Sequence, residues 1–241
     1  TTKGNMVAVV SDGSAILGLG NLGAKAAIPV MEGKAALFKR FAGIDAFPIC
    51  LDTQDADKIV EIVKAITPVF GAVNLEDIAA PRCFYIEERL RKEADIPVMH
   101  DDQHGTATVV LAGLINSLKI RGSSKEEVRV VVNGAGAAGV SIVKILLEYG
   151  FKNIVVLDSK GAIYEGREDL DGMKVEIAGL TNKEKKAGGL KEMMQGTDIF
   201  IGVSKAKLVS KEMVMSMNEK PIIFALANPE PEISVTLAKE A

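Results

Sequence analysis

Two pairs of adjacent carboxylates, Glu76-Asp77 in VNLEDIAAP and Asp101-Asp102 in VMHDDQHGTA, precede a glycine fingerprint, Gly134-Ala135-Gly136-Ala137-Ala138-Gly139. A hard divalent cation takes carboxylate oxygens and keeps positions open for substrate and water. Glycines at the second spacing admit a pyrophosphate to a helix N-terminus. Few reactions need both groups. The obvious one is oxidation of a hydroxy acid on a dinucleotide, with decarboxylation of the product over a metal that acts as electron sink.

The fingerprint alone decides nothing, because GxGxxG also occurs as Gly18-Leu19-Gly20-Asn21-Leu22-Gly23. Context separates the copies. The second follows the apolar run VRVVVN, opens AAGVSIVKILLEYG, and leads to NIVVLD, whose Asp158 stands near the roughly 20-residue spacing at which a carboxylate takes the ribose hydroxyls. The first follows the second strand of an expected hairpin and reads as a tight turn. A carboxylate at Asp158 repels a 2′-phosphate and favours NAD, whereas Lys160 would accommodate that phosphate, so NAD and NADP both stay open. Each acidic pair taken singly is also compatible with a solvated loop; two pairs at consecutive strand ends favour a metal. His100 and His104 bracket the second pair at i,i+4, but His100 closes a strand and HExxH is missing, which argues against zinc. In VMEGKAALFKRFAGID, Lys34 stands where a helix is expected to begin. The positive end of the helix dipole and a nearby metal would loosen its proton, making Lys34 a candidate general base. Lys39 and Arg40 read as surface charges or phosphate contacts.

The elements that must position these residues follow from the hydrophobic pattern. Runs rich in β-branched residues, VRVVVN, NIVVLD, DIFIGV and PIIFALA, alternate with helical stretches. This predicts an α/β chain: a Rossmann-type dinucleotide-binding domain plus a second α/β domain that carries the metal and base residues. MVAVVSDGSAIL predicts two short strands around an Asp12-Gly13 turn. There follow a helix from about Lys34, strand AFPICL, helix DKIVEIVKAI, a strand ending at AVNLED, helix CFYIEERLRKEA and strand IPVMH. Both acidic pairs thus fall at carboxyl ends of strands, where ligands collect in α/β sheets. A helix from Thr106 to about Ile120 then leads into the dinucleotide unit. The expected domains are 1–102 and 103–241, with the stretch from Ser159 to about Gly189 polar and glycine-bearing. Both ends read as interrupted: the first strand arrives early, and SVTLAKEA closes on neither a capping glycine nor a last strand.

With 48% hydrophobic and 25% charged residues among 241, the chain can bury one large core or two modest ones. A net charge of -3 with interspersed signs offers no basic surface for nucleic acid. No apolar run reaches the ~20 residues of a membrane span, and TTKGNMVAVV resembles no leader, so a cytoplasmic location is expected. Cys50 and Cys83 read as buried free thiols.

Taken in order, SDGSAILGLGNLG, PVMEGKAALFKRFAGID, NLEDIAAPRCF, HDDQHGTA, VVNGAGAAG, DIFIGVS and FALANPEPE resemble the malic enzymes, specifically the shorter prokaryotic type. The resemblance implies oxidative decarboxylation of L-malate to pyruvate and CO2 with Mg2+ or Mn2+ and NAD or NADP, by a homodimer or higher homo-oligomer. It makes Glu76, Asp77 and Asp102 the metal ligands, Lys34 the base and Asp101 the carboxylate that orients it. Asn228 is similar to the asparagine that meets substrate beside the nicotinamide. Gly134, Gly136, Ala137, Ala138, Gly139, Asp158 and Ser204 correspond to the cofactor site. Two departures stand out. The family's general-acid tyrosine, upstream of the expected hairpin, has no counterpart, since Tyr85, Tyr149 and Tyr164 sit in other contexts; and Ala15 stands where larger members have an arginine for the malate carboxylate. Three alternatives stay in view: a malolactic enzyme, a non-catalytic nucleotide- or malate-binding module, and a hydroxy-acid dehydrogenase without metal.

Overall fold

In the computed structural model, which describes residues 1–16, 19–170 and 172–241, strand β1 (Met6–Ser11) is apolar up to its last residue, as suits a strand with parallel partners on both sides. Strand β2 (Asp45–Cys50) lies on one edge of β1 and β3 (Ala72–Leu75) on the other; β4 (Val98–His100) completes a parallel sheet in the order β2-β1-β3-β4. Parallel neighbours require crossovers. These are helix α1 (Ala24–Ala42), α2 (Ala56–Ile66) and α3 (Arg82–Glu93). Asp55 caps α2 by accepting from the N–H groups of Asp57 and Lys58, and the helix buries Ile59, Val60 and Val63 at i, i+1 and i+4.

The hairpin expected around Asp12-Gly13 does not form, because both edges of β1 are already occupied. Asp12-Gly13 instead turns the chain toward α1. A side chain on Gly13, whose φ is 66°, would run into the backbone of Gly23 at the head of that helix. Among the described residues, Ile16 and Gly20 share only an isolated antiparallel bridge. Gly18, the first glycine of the earlier GxGxxG copy, lies outside the described residues together with Leu17, and Asp171 does too. Helix α1 starts at Ala24, so Lys34 lies well inside it rather than at its N-terminus.

Helix α4 spans Asp101–Arg121, beginning five residues before the expected Thr106. Its first turn is Asp101-Asp102, and acids are favoured there by the helix dipole. The second sheet contains β5 (Arg129–Asn133), β6 (Asn153–Asp158), β7 (Gly161–Ala162), β8 (Ile199–Gly202) and β9 (Ile222–Ala225), in the order β7-β6-β5-β8-β9. All pairs are parallel except β6 with β7. Helix α5 (Ala137–Tyr149) connects β5 to β6, and α6 (Gly172–Leu180), α7 (Leu190–Met194), α8 (Lys211–Met215) and α9 (Val235–Lys239) follow. Strand β7 and helix α6 lie in the polar, glycine-bearing stretch, where two residues give too short a strand signal and Gly172 and Gly179 dilute the helical pattern. The core of this sheet includes Val131, Leu157 and Phe200, packed against Met213 and Ile233.

The described residues divide into two compact units, Thr1–Asp102 and Gln103–Ala241. No helix among them is long and apolar enough to cross a membrane. Cys83 is buried and Cys50 half-buried, and both are free. Burial pushes the Cys83 thiol up to about 12.

Candidate functional site

Within the first unit, chemistry concentrates at the carboxyl ends of β3 and β4. Strand β3 stops at Leu75, and the Glu76 N–H still donates to the Val10 carbonyl at 2.8 Å, which holds Glu76 at the sheet edge. Asp77 follows with φ of 53°, a left-handed conformation that a non-glycine residue adopts only under tertiary constraint. Part of that constraint is visible: the Asp77 N–H donates to Asp102 Oδ2 at 3.0 Å, and the Ala15 N–H donates to the Asp77 carbonyl at 3.0 Å. Asp102 arrives from the first turn of α4. One carboxylate oxygen each from Glu76, Asp77 and Asp102 lies within 4.8 Å of the others. Glu76 and Asp77 are buried.

Lys34 reaches this cluster from α1. Its Nζ donates to Asp101 Oδ2 at 2.7 Å and lies 3.0 Å from Glu76 Oε2, which also accepts from Asn74 Nδ2 at 2.7 Å. Burial pushes Glu76 up to about 7, and the Asp102 carboxylate adds to the effect, together outweighing Lys34 and Asn74. Asp102 is also raised, chiefly by burial, against the opposing influence of His100 and the Asp77 N–H. For Lys34, burial favours the neutral amine, but the hydrogen bond to Asp101 and the charge of Glu76 prevail and raise its pKa. The part of the expected loosening that rested on a helix N-terminus therefore fails. Lys34 has no N-terminal dipole to feel, and it has two carboxylates against it.

Donor chemistry fits a hard divalent cation: three carboxylates, no thiol, and an oxygen spacing that one ion can span. His100 is buried, with Nε2 3.6 Å from Asp102 Oδ2. That geometry places it behind the Asp102 carboxylate. A network that the sequence reading missed backs the same edge. Buried Asp12 accepts from the Ser14 N–H at 2.9 Å and from Arg82 Nη2 at 3.2 Å, while Ser14 Oγ accepts from the Ala79 N–H at 2.9 Å. The available signal was the Asp-Gly-Ser turn itself, in which an Asp side chain bonds the backbone two residues on.

In the second unit, Gly134 leaves β5 with φ of 125°, and its N–H donates to the Leu157 carbonyl at 2.9 Å. A side chain there would press on the Val203 backbone, and one on Gly139 would run into the Gly134 carbonyl. Gly136 precedes Ala137 and Ala138, the first residues of α5, whose N–H groups are the unsatisfied donors of a helix start. A cleft of about 760 Å³ opens here, its walls including Gly134, Gly136, Asp158, Lys174 and Ser204. Ser204 Oγ accepts from Asn133 Nδ2 at 2.8 Å. Asn228 stands in the loop after β9.

Asp158 ends β6 as expected, but it is not an isolated negative charge. Its Oδ2 takes Arg167 Nη2 at 2.6 Å and Lys174 Nζ at 3.0 Å, and its Oδ1 accepts from the Lys160 N–H at 3.0 Å. Burial would raise its pKa, but these partners, Arg167 foremost, hold it below the usual carboxylate value. Lys160 Nζ pairs with Asp169 at 2.8 Å. The negative charge of Asp158 is thus offset by two adjacent cations. The tyrosines stand elsewhere: the Tyr85 hydroxyl donates to Asp57, and Tyr149 packs under Lys125.

Family models describe both units. Residues 1–91 match "Malic enzyme, N-terminal domain" and residues 103–240 match "Malic enzyme, NAD binding domain". A "Bifunctional malic/malolactic enzyme" of Bacillus subtilis (strain 168) is 62% identical over 242 residues, covering 100% of this chain and 59% of that protein. An "NADP-dependent malic enzyme" of Escherichia coli (strain K12) is 51% identical, covering 100% of this chain and 32% of that protein. The crystal structure of an NAD-dependent malic enzyme from Thermotoga maritima superposes with a TM-score of 0.97 at 55% identity, over 100% of this chain and 64% of that one. The chain therefore spans less than two thirds of each of these proteins.

Proposed function

Since this chain belongs to the malic enzyme family, we propose that it carries the metal, base and dinucleotide machinery for oxidative decarboxylation of L-malate to pyruvate and CO2 with reduction of NAD+ or NADP+. The observation that carries this reading is the convergence of three carboxylates, Glu76, Asp77 and Asp102, beside a lysine that has its own carboxylate, Asp101.

Glu76, Asp77 and Asp102 would hold Mg2+ or Mn2+, and a cation there would polarise substrate oxygens and would draw on the same Glu76 carboxylate that otherwise steadies the Lys34 ammonium. Lys34 must first shed the proton that Asp101 and Glu76 hold on it; its neutral Nζ then takes the proton of the malate hydroxyl as hydride leaves the carbon bearing that hydroxyl for the nicotinamide. Asp101 keeps that amine in place and balances the ammonium that forms. Loss of CO2 from the oxidised acid leaves an enolate, which takes a proton at carbon from water, none of the assigned residues being a tyrosine acid, to give pyruvate. We assign cofactor binding to Gly134, Gly136, Ala137, Ala138, Gly139, Asp158 and Ser204, and contact beside the nicotinamide to Asn228. The 1–102 unit is then the catalytic one and the 103–241 unit the cofactor one. The pairing of Asp158 with Arg167 and Lys174 supports use of NADP as well as NAD. A cytoplasmic, homo-oligomeric protein is part of the same reading.

One observation favours a second outcome: the relative sharing 62% identity is named bifunctional malic/malolactic enzyme. Malolactic turnover would release lactate with no net reduced nicotinamide. The test is to supply malate, Mn2+ and either nucleotide, following reduced nicotinamide, pyruvate and lactate, with the B. subtilis protein as reference. Reduced nicotinamide matched by pyruvate supports oxidative decarboxylation, whereas lactate alone replaces it. Lys34→Ala should lower turnover by about 10²–10⁴-fold and leave nucleotide affinity unchanged. Equal turnover in that variant would remove Lys34 from the chemistry.

A further inference from the structure

Glu232 is fully buried, and the reaction proposed above gives it no role. Its two carboxylate oxygens are shared between two loops. Oε1 accepts from the Ser204 N–H at 3.1 Å, and Oε2 accepts from the Ala227 N–H at 3.1 Å. These donors lie just past the ends of β8 at Gly202 and β9 at Ala225, where the ladder no longer supplies acceptors. The Glu232 backbone is fixed in turn, since its carbonyl accepts from the Val209 N–H at 3.0 Å and the Pro231 carbonyl from the Lys207 N–H at 3.1 Å. Space for the carboxylate exists only because residue 202 is glycine. Any Cβ there would collide with it.

A buried carboxylate is a poor choice for mere filling, because an apolar side chain would occupy the volume without a desolvation cost. Its value lies in satisfying two N–H groups on two separate loops with one rigid group. Both loops matter to the cofactor. Ser204 lines the dinucleotide cleft, where its hydroxyl is held by Asn133 at the end of β5 and its neighbour Val203 closes against Gly134. Asn228 directly follows Ala227. The sheet order places β6, with Asp158, on one side of β5, and β8 and β9 on the other. In a doubly wound sheet the dinucleotide straddles that reversal, so the half remote from Asp158 lies over the ends of β8 and β9.

We propose that Glu232 is a positioning residue for the nicotinamide half of the dinucleotide, tying the Ser204 loop to the Asn228 loop through one carboxylate admitted by Gly202. The inference rests on the dinucleotide reading given above. ADP-ribose, which lacks only the nicotinamide ring, and its 2′-phosphorylated form separate the two halves of the ligand. Glu232→Gln turns one oxygen into an NH2 that faces an N–H, breaking one anchor at constant volume. The expected result is NAD(P)+ affinity lower by about tenfold, with the affinity for the ADP-ribose form within about twofold of the parent. An unchanged affinity ratio, whether both ligands hold or both weaken equally, overturns the proposal. Should this variant fail to fold, amide exchange on the parent chain reads the same point: NAD(P)+ should protect the segments around Ser204 and Ala227 more than the ADP-ribose form does, and equal protection overturns the proposal. If neither ligand binds the parent chain, the dinucleotide reading itself falls.

Discussion

Glu76 is charged at the expense of the fold. Its carboxyl has a value of about 7 in the folded chain against 4.5 in the open one, because it is buried and faces Asp102. A folded value above the unfolded one means that the folded state binds the proton more tightly. Stability from this group is therefore fully present below about 4.5 and is lost as pH rises through about 7. The full difference is on the order of 3 kcal/mol, an upper figure because Lys34 shares the site. Carboxylates held low, such as Asp158 and Asp198, act with the opposite sign and below the ordinary carboxylate range, so the two windows do not overlap. Metal-free parent and Glu76→Gln chains should accordingly diverge in melting temperature between about pH 5 and about pH 8, the parent falling relative to the variant, by several degrees in all. Mn2+ should abolish the decline in the parent only. A difference that stays constant with pH would show that Glu76 is ionised without penalty. Residue types at this site were legible in sequence because acids at strand ends are local features. The protonation of Lys34 was not, since it depends on Asp101, 67 positions away, and on where α1 begins.

Elements separate along the same line. Strand β5, the glycine turn and helix α5 were readable because each signal lies within a few residues of what it specifies: an apolar run, a loop that tolerates no Cβ, an apolar helix face. The Asp12-Gly13 hairpin failed because the turn signal is local while the fate of a strand edge is not; β1 pairs with residues 45–50 and 72–75 before any hairpin partner can claim it. Helix α4 began earlier than its apolar pattern, since its first turn is chosen by acids rather than by burial. Gly139 gives the sharpest element-level test. A methyl group there would meet the Gly134 carbonyl and force α5 away from the turn, so Gly139→Ala should weaken dinucleotide binding by more than about tenfold. Calorimetric titration with Mn2+ should show metal affinity unchanged in the same variant. Dinucleotide binding that survives the methyl group would mean the pyrophosphate is held somewhere other than at the α5 N-terminus.

At the scale of the whole chain, composition excluded more than it assigned. A charge of -3 with mixed signs offers no broad basic surface, and alternation of strands and helices pointed to parallel sheets in two α/β domains, but neither assigned a ligand to either one. The chain divides into two compact units, and the proposed ligand chemistry follows that division: three clustered carboxylates within Thr1–Asp102, a glycine turn and cleft within Gln103–Ala241. A ligand at one hundred times its Kd stabilises the state it binds by about 2.7 kcal/mol, and the amides nearest the contact register that gain as slower exchange. Mn2+ alone should slow exchange around 72–77 and 98–102, where Glu76, Asp77 and Asp102 sit. A dinucleotide alone should slow it around 129–139 and 199–204. The residues proposed for each ligand belong to one unit, so the two ligands are expected to act on different segments. Protection by Mn2+ at the glycine turn, or none at 72–77, would mean the three carboxylates are not the cation site, and the metal-dependent chemistry assigned to them would have to be abandoned.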